Sequence, residues 1–148
     1  MTIDSPRGSA ELFDLDESTC AGLLGTDQVG RLVTASEDPQ IVPVNYVAVD
    51  GAIVFHVAAG PHAHRLVGER AAFEVDELDE TTRSGWSVVA HGRISTRLLG
   101  EPGDSRPAVD SWVPGDRDCR LTLVIETMTG RLVRGPVAVT ASSDAAYL

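Results

Sequence analysis

Residues 40–57 read Gln40-Ile41-Val42-Pro43-Val44-Asn45-Tyr46-Val47-Ala48-Val49-Asp50-Gly51-Ala52-Ile53-Val54-Phe55-His56-Val57. Two runs rich in β-branched and aromatic residues flank Asp50-Gly51. Asp-Gly in that setting is the strongest short-range hairpin signal, because the turn needs positive φ and these residues supply it cheaply. The stretch therefore predicts two adjacent antiparallel strands, residues 40–49 and 52–57. Pro43 lies inside the first. Proline has no N–H to give to a ladder, so this strand is predicted to be an edge or to carry a bulge at that point.

Outward from the hairpin the pattern stays β-like. Residues 29–35, 71–75, 86–99, 121–125 and 130–133 carry further strand signals, and Val137 and Val139 are able to extend the last one. Two short helices are predicted. The first is capped by Asp16 or Ser18, turns Leu23 and Leu24 inward and ends near Gly25. The second spans residues 61–69, opened by Pro61, with Leu66 and Val67 inward. Many strands, short connections and little helix describe an antiparallel barrel or sandwich, a mainly β fold, rather than a doubly wound sheet. Residues 1–10 and 137–148 lack periodicity and read as tails around one domain, residues 11–136.

Composition closes off several kinds of chemistry. All 12 basic residues are arginine, against 22 acidic ones, for a net charge of −10. Without lysine there is no Schiff base and no phosphate-loop lysine. An anion has to be held by Arg, His, hydroxyls or backbone amides. The acidic balance disfavours nucleic acid and acidic membranes as partners. Two cysteines, Cys20 and Cys119, make no disulfide framework, so the expected compartment is a reducing cytoplasm. No signal peptide opens the chain, and no apolar run approaches the ~18 residues that would span a bilayer.

No nucleophile–base pair and no Gly-x-Ser-x-Gly elbow are recognisable, so catalytic residues are not assigned. His56, His62 and His64 are close in sequence, but no Cys or carboxylate completes a metal-ligand spacing, and no metal is expected. They read either as exposed polar side chains or as the polar mouth of a ligand pocket. In the second case Pro61 opens a helix whose first turn presents free amides, and His62, His64 and Arg65, in or near that turn, offer further donors to an anion. The acidic stretch from Glu74 to Glu80 lacks the spacing of a calcium loop; Glu74 and Asp76 alternate with Phe73 and Val75 on a strand, and the remainder reads as a solvated loop. Trp86, at the start of a strand, is open between core packing and a binding role. Trp112, in a loop, needs something to pack on.

Five short motifs occur in order: Val29-Gly30-Arg31-Leu32, Val42-Pro43-Val44-Asn45-Tyr46, Asp50-Gly51, Ala72-Phe73-Glu74-Val75-Asp76 and Gly85-Trp86-Ser87-Val88-Val89. In combination they resemble the pyridoxamine 5′-phosphate oxidase-like proteins, particularly their actinobacterial branch, which includes binders of the deazaflavin coenzyme F420. The resemblance implies a six-stranded antiparallel split barrel of the FMN-binding type. It implies a homodimer with flavin at the subunit interface. The isoalloxazine ring would lie along Val42, Pro43, Val44 and Asn45. The phosphate would lie near His56, Val57, Pro61 and His62, with Arg65 in support. Trp86 and Ser87 would approach the cofactor, and Trp112 would cover it.

Relatives commonly carry Phe-Arg-Thr and Gly-Thr-Lys in the phosphate region, where this chain has Phe55-His56-Val57 and Gly60-Pro61-His62. The function implied is an FMN- or F420-dependent oxidoreductase acting on a small-molecule substrate. The alternatives are a non-catalytic dimeric binder of a flavin or other planar ligand, a haem binder, or a member that has not retained its cofactor.

Overall fold

The computed structural model describes residues 8–26, 29–96, 109–110, 112 and 119–136. Its elements are β1 (Glu11–Leu15), α1 (Glu17–Leu24), β2 (Val29–Thr34), β3 (Ile41–Val49), β4 (Ala52–Val57), α2 (Pro61–Leu66), β5 (Arg70–Asp79), β6 (Ser84–Ser95) and β7 (Cys119–Arg134). The Asp50-Gly51 hairpin forms as predicted, with Val49 opposite Ala52 and Gly51 at φ +70°. The sheet runs β1-β7-β4-β3-β2-β5-β6, and β6 pairs back on β7. Six strands thus close an antiparallel barrel, and β1 is added along the far half of β7. No helix among the described residues is long and apolar enough to cross a membrane.

Alternation sorts each strand into an inner and an outer face. The inner face supplies the core: Leu32, Val44, Tyr46, Ile53, Phe55, Phe73, Val75, Ala90, Ile94, Leu121 and Leu123 are all buried. Phe73 meets the edge of Tyr46 with ring centroids 4.9 Å apart. The Tyr46 hydroxyl donates to the Leu24 carbonyl, which fastens the end of α1 to the barrel. Asp16 caps α1 by accepting from the Thr19 amide at 2.7 Å, and its bonding to Thr19 holds its carboxyl below the usual range.

Several elements differ from expectation for identifiable reasons. β1 has no alternating pattern, and it is a strand because β7 offers it a partner edge, Glu11 opposite Arg134 to Leu15 opposite Gly130. The two predicted C-terminal strands are one: polar residues 126–129 stay extended because β6 pairs alongside them, with a bulge at His91/Gly92. β5 continues past Val75 to Asp79, so part of the predicted acidic loop is strand, paired with β6 as far as Ser84. The hairpin then turns where the Asp79 carboxylate accepts from the Thr81 and Thr82 amides. α2 stops at Leu66, leaving Val67 exposed rather than inward. Leu98, Leu99, Val137 and Val139 lie outside the described residues.

Gly30 sits where β2 passes directly over the Phe73 ring, and a Cβ at this position would overlap the ring at Cζ and Cε1. Phe73 is fully buried and packs edge-on against Tyr46. Gly30→Ala is expected to destabilise the protein by roughly 1–3 kcal/mol. At Gly22, inside α1, an added Cβ would meet nothing within 4 Å, so Gly22→Ala is expected to stabilise by about 0.5–1 kcal/mol. Urea denaturation of the two variants checks both signs.

Candidate functional site

Strand β3 changes partner halfway along. Residues 41–45 pair with β2, Arg31 opposite Pro43 and Val29 opposite Asn45. From Tyr46 to Val49 the strand pairs with β4 instead. Beyond Phe55, β4 in turn pairs with β7 alone, His56 opposite Arg120 and Val57 opposite Cys119. Among the described residues the barrel wall is therefore split between residues 41–45 of β3 and residues 56–57 of β4. Pro43 lies on the opened stretch, which makes the edge reading correct: the bulge in this sheet is at His91/Gly92. An opened edge presents backbone donors and acceptors in a row.

The outer face at this split gathers three of the residues predicted for a site, and Trp112 is tied to it. Pro43 and Asn45 alternate with the inward Val42 and Val44. The Asn45 side-chain carbonyl accepts from the Trp112 amide at 2.9 Å, while the Trp112 ring is 65% exposed. Half-buried His56 faces Arg120, whose Nε donates to the imidazole Nε2 at 3.2 Å. That bond uses the ring lone pair, so it is made by the neutral imidazole. Arg120 was not singled out from sequence. It is 64 residues from His56, and only the register of β4 on β7 brings the two together.

Other predicted residues are placed elsewhere. The side chains of Val42, Val44 and Val57 belong to the barrel interior, which leaves their main chain to line the split. Trp86 packs against the core, the first of its two open readings. Pro61, His62, His64 and Arg65 are exposed on α2; His62 and Arg65 line a cavity of about 250 Å³ with Thr34, Ser36 and Gln40. Ser87 borders a separate cavity of about 360 Å³ on the outer face of β6 and β7, with His91 and Arg131. A cavity of about 420 Å³ between α1 and the β3–β4 hairpin contains none of the predicted residues. Cys20 is buried, and burial pushes its thiol up, away from the reactive thiolate.

On the same outer face of β7, two residues beyond Arg120, the Thr122 hydroxyl is buried with no hydrogen-bond partner among the described residues. A buried unpaired hydroxyl costs about 1–3 kcal/mol. Thr122→Val, which keeps the shape and removes the hydroxyl, is expected to raise stability by about 1 kcal/mol. A fall in the denaturation midpoint would show that the hydroxyl has a partner.

Residues 16–132 match the profile of the family described as pyridoxamine 5′-phosphate oxidase. The chain is 35% identical over 135 residues to the uncharacterized protein Rv0080 of Mycobacterium tuberculosis, covering 85% of this chain and 88% of that one. Among solved structures, an FAD binding protein from Mycobacterium smegmatis superposes with a TM-score of 0.65 at 24% identity, over 84% of this chain and 100% of that one. An FAD-binding protein from Mesorhizobium loti superposes with a TM-score of 0.64 at 23% identity, over 84% and 98% of the two chains. These two structures share the barrel.

Proposed function

This chain belongs to the pyridoxamine 5′-phosphate oxidase family, and from that premise we propose that it is a flavin-binding oxidoreductase that holds its cofactor at the split in the barrel wall. The observation that carries the reading is the change of partner in β3. Among the described residues it leaves the strand ladder of residues 41–45 paired on one side only, beside a His56–Arg120 pair at the end of β4.

The residues present fit such a group. An isoalloxazine ring has a flat apolar body and an edge of hydrogen-bonding atoms. Pro43 offers a flat apolar surface, and the main chain of residues 41–45 offers donors and acceptors in a row. The Asn45 side chain fixes the amide of Trp112, which positions that ring to cover the cofactor. Arg120 supplies positive charge where the strand ends. When bound, the flavin supplies hydride or electron transfer. The protein's own part is to orient the ring, keep water off it and hold the anionic tail. FMN is the form proposed, with FAD and coenzyme F420 as the competing forms.

The cofactor site is proposed to be completed by a second copy of the chain. Ile41 is 68% exposed on the opened strand and Trp112 is 65% exposed beside it, and large apolar side chains so placed are suited to an interface.

The purified protein is expected to be yellow, to release flavin on denaturation and, once stripped, to bind FMN at micromolar concentration or tighter, with quenching of Trp112 fluorescence that is lost in Trp112→Phe. If none of FMN, FAD or F420 binds at micromolar levels, the proposal fails. Sedimentation at micromolar concentration is expected to give a dimer, and monomers alone would contradict the shared site. Binding of flavin without reduction by any nicotinamide or small-molecule donor would favour the non-catalytic alternative.

A further inference from the structure

We propose that the cavity of about 420 Å³ between α1 and the β3–β4 hairpin is a second ligand site, one that takes a small organic cation with an apolar body. The site is separate from the split. It uses Ala48 and Val49, at the end of β3 opposite to residues 41–45, and it stands whether or not a flavin binds.

Its walls are held by bonds already formed. The Gly51 carbonyl accepts from the Ile125 amide at 2.9 Å, which ties the hairpin tip to β7. The Tyr46 hydroxyl fixes the end of α1 at the Leu24 carbonyl, and Asp16 caps its start. Small residues keep the space between them open: Ala21 and Gly25 on the α1 side, Ala48 and Gly51 on the hairpin side. A Cβ added at Gly51 would meet nothing within 4 Å. The floor is apolar, because Leu24 is buried and Ile125 and Met128 pack against the core. The flexible Met128 thioether adapts to different apolar shapes. An apolar floor under a few polar groups suits a small molecule, and the volume lies in the usual range of about 300–1,000 Å³.

The polar groups on the rim select the ligand's charge. Glu17 and Asp50 bring carboxylates and Ser18 a hydroxyl, while no Arg or His among the described residues lines the cavity. Elsewhere carboxylates are matched by arginine: Glu74 and Asp76 by Arg31, Glu126 by Arg70. Among the described residues no arginine engages Glu17 or Asp50. Such a rim repels anions. A divalent metal needs more ligands than two carboxylates, and no group of three His, Cys, Asp or Glu among the described residues is placed to hold one. An ammonium group on an apolar body answers both halves of the site. Its charge meets the carboxylates at the rim, and its body covers the floor.

The test uses ligands of one shape and different charge. Isotope-labelled full-length protein is titrated at neutral pH with phenethylamine, phenethyl alcohol and hydrocinnamate, while the Gly25 and Gly51 amide resonances are followed by NMR. The amine is expected to shift both saturably and to bind about tenfold more tightly than the alcohol, with the anion weaker still. Glu17→Gln and Asp50→Asn are expected to weaken the amine about threefold each and about tenfold together, leaving the alcohol unchanged. Asn-Gly serves this turn as well as Asp-Gly does, so Asp50→Asn keeps the hairpin. Glu37→Gln, which removes the same charge at an exposed position outside the cavity, is expected to change nothing. Ala21→Leu, which fills the cavity from an exposed helix position, is expected to abolish binding of all three ligands. The inference is overturned by no saturable shift with the amine, by equal affinity for amine and alcohol, by a Glu37→Gln effect as large as those of the rim variants, or by shifts centred on residues 41–45 instead.

Discussion

A strand in a closed barrel has two edges, and β3 gives each of them a partner for only half its length. Residues 41–45 hydrogen-bond to β2, and Tyr46 to Val49 hydrogen-bond to β4. This exchange of neighbours at Asn45/Tyr46 is the constraint on which the shape of the barrel wall depends. Among the described residues, it lets six strands close around an apolar interior while residues 41–45 are paired on one side only. Proline is tolerated at position 43 because the strand is one-sided there. The inner face is undisturbed by the opening, because Val44, Tyr46 and Phe55 remain buried on either side of it.

The interior holds the split in place. Tyr46, the first residue after the change of partner, touches Phe73 on β5 and bonds through its hydroxyl to the end of α1. Phe73 in turn requires a glycine on β2. One aromatic pair thus ties β2, β3, β5 and α1 together beside the opened edge. The separation is sharp along β3 itself: even-numbered residues 42–48 face the core, and the odd-numbered Pro43 and Asn45 face outward at the split.

Much of this was legible in the sequence because it is local. Asp50-Gly51 announced its hairpin, Pro43 an edge or a bulge, and Asp16 or Ser18 a helix cap. The parts that were not legible depend on partners distant in the chain. β1 carries no strand pattern and exists because β7 extends far enough to meet it. The polar residues 126–129 look like a break until β6 is seen to run beside them. Arg120 shows the same limit at the site. A single arginine before Leu121 gives no local signal, and its alternation with Leu121 and Leu123 becomes informative only when β4 is known to lie opposite. Trp86 could not be sorted from its own neighbourhood; it is partly buried and packs against the core.

β7 is the spine of the fold: its 16 residues pair with β4 and β1 along one edge and with β6 along the other. Among the described residues it is also the last strand in chain order. On the ribosome, β1 to β6 all emerge before the strand that closes the barrel. Until it arrives, β4 and β6 each expose an unpaired edge, which is the state in which β-proteins aggregate. The order of synthesis therefore gives this chain an interval of vulnerability that ends only when its longest strand has cleared the exit tunnel.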